Sequence, residues 1–185
     1  MALDTDNVRV GLDGRIYVAP KGTTAPTDLT SPWAAGWVDL GLMSPDGVEM
    51  TYATETEDVD AWQSLSPVRK ILTGVDMSLA FTAIECKRDV ITLYFPESSI
   101  GTAGGVHTLS IKSAPESDER AFGFEWTDSG ITNRIVLARG EVTERGSITT
   151  SRGGAVSMQM TVSAYTTSSD DIATWLSDDP AWAAA

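Results

Sequence analysis

Histidine and cysteine are almost missing from this chain: its 185 residues hold one of each, His107 and Cys86. A single cysteine excludes an internal disulfide, and one histidine with one cysteine excludes a transition-metal site of the usual His/Cys kind. Any Ser-His-Asp arrangement has to pass through His107, and the chain offers no nucleophile with a plausible base beside it. The glycine-rich stretch just ahead, Gly101-Thr102-Ala103-Gly104-Gly105, lacks the Lys-Ser/Thr ending of a phosphate-binding loop and reads as a hairpin or connector. Basic residues are scarce as well: 13 Lys and Arg face 26 Asp and Glu, for a net charge of -13. Gripping nucleic acid takes clustered Lys and Arg, so no such surface is expected. No run approaches the roughly eighteen apolar residues of a membrane-spanning helix. The opening MALDTDNVRV has no basic segment followed by an apolar one, so no secretory signal is expected. The expectation is a soluble chain made in a reducing cytoplasm, with Cys86 a small packing residue.

Acidic residues cluster in two places. Glu55, Glu57, Asp58 and Asp60 could gather oxygen ligands for calcium, but the EF-hand spacing and its glycine are absent; Asp4, Asp6 and Asn7 fail the same test, because Arg9 stands where glycine is needed. No metal, cofactor or catalytic residue is expected, and the chain does not read as an enzyme.

What the chain has is alternation. Apolar residues make up 42%, enough for one globular domain of ordinary size over 1–185. Period-two runs predict strands at 15–18, 36–40, 47–54, 75–83, 106–112, 119–127, 131–139 and 155–165. The last is the cleanest, with Val156, Met158, Met160 and Val162 opposite Ser157, Gln159, Thr161 and Ser163. KRDVITLYF, residues 87–95, breaks the alternation, carries charges in its first turn and stops at Pro96, which predicts a helix packed on a sheet face. A weaker helix is expected over 169–176, with Ser168 or Ser169 as cap. The last residues, 177–185, read as an extended arm. Trp33, Trp37 and Trp126 are expected in the core.

The stretch SPDGVEMTYATETEDVDAWQSLSPVRKILTGVDMSLAF, residues 44–81, has strand-like runs at both ends and a middle that reads as neither helix nor core. A long loop carrying an aromatic and an apolar patch usually has a partner. Here the sequence resembles the major tail proteins of phages with long, non-contractile tails, particularly those of actinobacteria. The block GLDGRIYVAPKGTTAPTDLTSPWAAGWVDLGLMSPDGV (11–48) looks like the family opening, and TEDVDAWQSLSPVRK (56–70) is similar to its long inter-subunit loop. The C-terminal third matches only in general pattern.

That resemblance implies a mainly β fold, a β-sandwich or split barrel with one flanking helix, a long assembly loop within 44–69 and extended terminal arms. It implies hexameric rings stacked as a tail tube around a tape-measure protein, joined to tail tip and terminator proteins, assembled in the host bacterial cytoplasm. DNA passes through without specific binding, and an acidic bore repels phosphate at close range. Expected interface residues are Glu55, Glu57, Asp58, Trp62, Gln63, Leu65, Val68, Arg69 and Trp182. Asp46, Glu49, Asp76, Glu141 and Glu144 are candidates for the bore. Two alternatives stand beside this reading: a monomeric β-sandwich that binds carbohydrate through exposed aromatics, and a tail terminator or completion protein of the same fold.

Overall fold

Alternating side chains set the architecture, since a strand with one apolar face has to bury that face against something. The computed structural model describes residues 5–183. Its strands are β1 (Asp13–Pro20), β2 (Val38–Asp39), β3 (Met43–Val59), β4 (Arg69–Ala83), β5 (Ser99–Ala103), β6 (Val106–Ser110), β7 (Arg120–Asp128), β8 (Ile131–Arg145), β9 (Thr149–Ser151), β10 (Gly154–Ala164) and β11 (Thr174–Ser177). One helix, α1 (Arg88–Tyr94), and two 3-10 turns, Thr5–Asn7 and Pro180–Trp182, complete the described elements.

The main sheet has nine strands in the order β2-β1-β7-β8-β10-β4-β3, with β11 on β8 and β9 on β10, and every pairing is antiparallel. It does not close into a barrel. The sheet coils until β1 comes against the start of β3, and the two approach without pairing, which leaves an open seam. β5 and β6 form a separate hairpin whose turn glycines, Gly104 and Gly105, have φ of 58° and 80°, the left-handed pair that a two-residue hairpin loop requires.

The concave face holds the core. Ile16 and Val18 of β1, Leu79 and Phe81 of β4, Phe122 of β7, Ile135, Leu137 and Val142 of β8, and Met158, Met160 and Val162 of β10 all point inward and are buried. Each fully buried side chain of this size contributes roughly 1.5–3 kcal/mol. The helix closes this face with Val90, Leu93 and Tyr94. Tyr94 donates its hydroxyl to the Gly146 carbonyl, and Arg145 Nε donates to the Tyr94 carbonyl at 2.7 Å, so the helix is tied to the end of β8.

A mainly β chain with one flanking helix agrees with the sequence reading, and the structure differs from it in five places. The long loop expected within 44–69, beyond the strand at 47–54, is shorter than expected: β3 runs on to Val59 and β4 starts at Arg69, so only 60–68 lie outside strands. Residues 169–176 are not helical. Asp170 has φ of 66°, Thr167 Oγ1 donates to the Asp171 carbonyl and the side chain of Ser169 bonds that of Asp171. Such local bonds compete with a helix, and the following residues pair with β8 instead. Residues 177–183 fold back rather than extend, with a 3-10 turn whose Asp179 side chain accepts from the Ala181 amide. Trp33 and Trp37 lie on the convex face, outside the core, whereas Trp126 packs against it. Cys86 is exposed, because the chain leaves the sheet at Ala83 and turns toward the helix there.

Candidate functional site

The β3–β4 hairpin is the feature that a solitary domain does not explain. In the body, Val48, Met50 and Tyr52 stand on the core side of β3, opposite Phe81, Leu79 and Met77. β10 pairs with β4 only along Ser78–Ala83, so from Met77 outward β4 has β3 as its one strand partner among the described residues. Every residue from Glu49 to Asp60 is exposed, as is every residue from Trp62 to Thr73. The ribbon therefore meets solvent on both faces and both edges, and two-stranded hairpins of this kind are marginally stable in water. A register shift at Glu55/Thr56 adds twist near its middle.

The tip is apolar and neutral. Residues 61–68, Ala-Trp-Gln-Ser-Leu-Ser-Pro-Val, carry no charge. Backbone bonds from Ser64 N to Ala61 O and from Val68 N to Val59 O close the turn. Trp62 is 100% exposed, Leu65 108% and Val68 59%, so none is held by its own domain. Gln63 lies beside them in solvent. Arg69 opposes Val59 across the hairpin. Lys70 bonds Asp58 at 2.6 Å, but both side chains are largely exposed and screened by water, so the pair adds little stability. Glu55 and Glu57, expected in a loop, sit in β3 facing the side of the ribbon opposite the core.

That side continues over the body as a polar sheet face. Registers across β3, β4, β10 and β8 bring Glu49, Asp76, Glu141 and Glu144 to one face, among Thr51, Ser78, Thr161 and Ser163. Thr143 and Ser163 hydroxyls bond there at 2.8 Å. Glu141 is held at the margin by the Ser117 hydroxyl, the Asp118 amide and the Tyr165 hydroxyl. Asp46 stands apart from these four: it follows the irregular start of β3, accepts from Ser44 Oγ at 2.7 Å and lies on the rim of the seam.

Trp182 is 55% exposed and meets Trp175 edge-on at 5.0 Å, next in a row that runs on through Trp126 and Phe124. Beside it Arg9 donates to Asp179 at 2.6 and 2.8 Å, joining the two ends of the chain. The bond from Arg9, then the Ala181 amide, lowers the Asp179 pKa from 3.8 to about 2. Glu119 is lowered from 4.5 to about 2 in the same way by hydrogen bonds from Arg139 and Lys21. Both carboxylates bind their proton more weakly folded than unfolded. Their stabilisation is complete above about pH 4.5 and is lost as pH falls toward 2. Asp179→Asn together with Glu119→Gln is expected to lower stability at pH 7 and to flatten its fall between pH 4.5 and 2. Urea titrations across that range read both effects, and an acid limb as steep as in the unmodified chain would refute the assignment.

Sequence reasoning missed the cluster on the convex face. Trp33 stacks on Tyr17 at 4.4 Å and covers Gly123, where an added Cβ would stand 2.2 Å from the indole ring. Arg134, with a side chain only 6% exposed, bonds Glu125 at 2.5 Å and the carbonyls of Asp28 and Ser31 at 2.9 and 2.8 Å. Its guanidinium also lies 5.4 Å from the Trp33 ring centre. The cluster pins the 21–37 segment onto β7 and β8. A glycine within a strand was its one signal, since such a glycine marks a close approach.

His107 is exposed in the β5–β6 hairpin and its ring bonds the Thr102 hydroxyl at 2.8 Å. No carboxylate bonds that ring among the described residues. No group of three His, Cys, Asp or Glu gathers in a metal-binding arrangement among them either, and no described helix is long and apolar enough to cross a membrane.

The large surfaces that lack an occupant are thus a projecting ribbon with an apolar tip and an open seam, both suited to meeting protein. The curated proteins contain no match to the chain. A family model described as phage tail tube protein matches residues 1–185, the whole sequence. Family and architecture agree, and the chain belongs to the phage tail tube proteins, structural components of the virion tail.

Proposed function

We propose that this protein is the tube subunit of a phage with a long, non-contractile tail, a single domain over 1–185 that closes into hexameric rings and stacks them. The ring encloses a bore lined by the polar sheet face, with Glu49, Asp76 and Glu144 turned toward passing DNA and Asp46 and Glu141 at its margins. The tube forms in the host cytoplasm around a tape-measure protein, between tip and terminator proteins, and its role is assembly and conduction rather than catalysis. Glu55, Glu57, Asp58, Arg69, Gln63 and Trp182 border the subunit contacts, and Trp62, Leu65 and Val68 are their apolar centre.

One observation carries this reading: the hairpin beyond Tyr52 and Met77 exposes both faces and both edges and ends in a fully exposed tryptophan. A neighbouring subunit supplies the missing burial and strand partners, and heterologous contact of this type generates rings and filaments. Electron microscopy of the purified chain, with sedimentation to catch soluble rings, tests it. Rings or tubes of uniform bore are expected. Rings that never stack would favour a terminator, and a persistent monomer that binds a glycan array would favour the carbohydrate-binding alternative.

The free ribbon is expected to be loose before assembly, because its strands bury little of their own surface. Amides of residues 53–73 should exchange rapidly in the monomer and become protected in the tube. Equal protection in both states would place the ordering within the monomer.

A further inference from the structure

The open seam between β1 and β3 forms a cleft of about 780 Å³, lined at one end by Phe124, Trp126 and Trp175 and along its sides by Leu12, Leu42 and Met50. Several of these stay exposed: Leu12 is 71% accessible, Leu42 67% and Trp175 40%. The two ion pairs on its rim, Arg15 with Asp39 and Lys87 with Glu85, satisfy each other's charge. The chain thus carries a concave apolar surface whose only charges outside these pairs are Asp13 and Asp46 and, at the hairpin tip, a convex apolar surface with none.

We propose that the seam cleft receives the hairpin tip of a second copy of this chain, seating Trp62, Leu65 and Val68 against the aromatic row; the proposal rests on the assembly reading above and names the surface that accepts the arm. Three features support it. The cleft is the size of a small-ligand site, large enough for a few bulky side chains. The tip cannot enter its own seam, since β3 is continuous and the nine steps from Met50 to Val59 carry the tip about 30 Å away from the cleft at their base. The tip carries no charge, so it meets a cleft that keeps Asp13 and Asp46 beyond its two ion pairs without the like-charge repulsion that copies of net charge -13 otherwise feel. Cleft and tip are different patches, so the contact is heterologous and each subunit gives a tip and receives one.

Cys86 lies between the cleft-lining residues Glu85 and Lys87, is exposed, and is the only cysteine, which makes it a reporter of the contact. Ser64→Cys and Ser66→Cys each place a thiol on the tip, and Thr108→Cys on the β5–β6 hairpin serves as control. The full-length variants are oxidised, or treated with a short bis-maleimide, under conditions where rings or tubes are scored by microscopy. The expected result is a ladder of dimers, trimers and higher species from the tip variants, absent from the control and abolished by adding Cys86→Ser. Leu42→Asp should weaken the ladder at least tenfold while leaving the melting temperature of the monomer unchanged. Dimers alone, persisting in the Cys86→Ser background, would mean that tips meet tips and would overturn the proposal. Rings or tubes without cross-linked bands would overturn the docking and leave the proposed function standing. Neither assembly nor bands would overturn both.

Discussion

Replacement of Arg134 by methionine is expected to destabilise the subunit by about 3 kcal/mol, the lower end of what removing one partner of a buried ion pair costs. The lower end applies because Glu125, its partner, remains one-fifth exposed and reaches some water, whereas the arginine side chain is 6% exposed. Methionine keeps much of the volume but offers no donor, so Glu125 retains only its bond from Trp33 Nε1 at 3.0 Å, and the carbonyls of Asp28 and Ser31 lose theirs. For a domain of this length the loss corresponds to a fall in melting temperature of roughly 6–12 °C. Glu125→Gln in the Arg134→Met background should recover part of it by removing the uncompensated charge. A fall of less than about 2 °C would show that the 21–37 segment holds to the sheet without the clamp.

The second large effect concerns assembly and leaves the fold alone. Trp62→Ala with Leu65→Ala should not change monomer stability by more than about 0.5 kcal/mol, as for other exposed positions, since Trp62 is 100% exposed and Leu65 108%. Buried interface tryptophans commonly contribute 2 kcal/mol or more, so the protein concentration needed for tubes should rise by about 30-fold or more. Pelleting across a concentration series measures it. Unfolding of the purified monomer by this pair would instead place the tip in its own core, and unchanged pelleting would remove the tip from the subunit contact. Read beside each other, the two variants separate the molecule's internal clamp from its external one: Arg134→Met acts on melting, the tip pair on polymerisation.

Strand faces were legible because burial follows a period of two: Val156, Met158, Met160 and Val162 announce the core face of β10, and all but the half-buried Val156 lie deep in it. The helix was legible from its broken alternation and from Pro96. The ribbon was legible only as an anomaly. Exposed strand and exposed loop share a polar composition, so Glu55, Glu57 and Asp58 gave no sign that they continue β3. The helix expected over 169–176 failed because the rule for capping is local, whereas the free edge of β8 that captures Thr174–Ser177 is formed by strands distant in the chain.

The sequence alone determined the β-rich class, the helix ahead of Pro96, the acidic balance and the family, since each rests on composition, period or motif, which need no third dimension. Tertiary structure decided what depends on register and approach: that Glu49, Asp76, Glu141 and Glu144 share a face, that Arg134 clamps a loop a hundred residues earlier in the chain, and that the sheet stops short of closure and leaves a seam. One shifted pair in any ladder would turn those carboxylates to the opposite side. A one-dimensional pattern states which residues prefer burial, and only the assembled sheet settles which distant residues they are buried against.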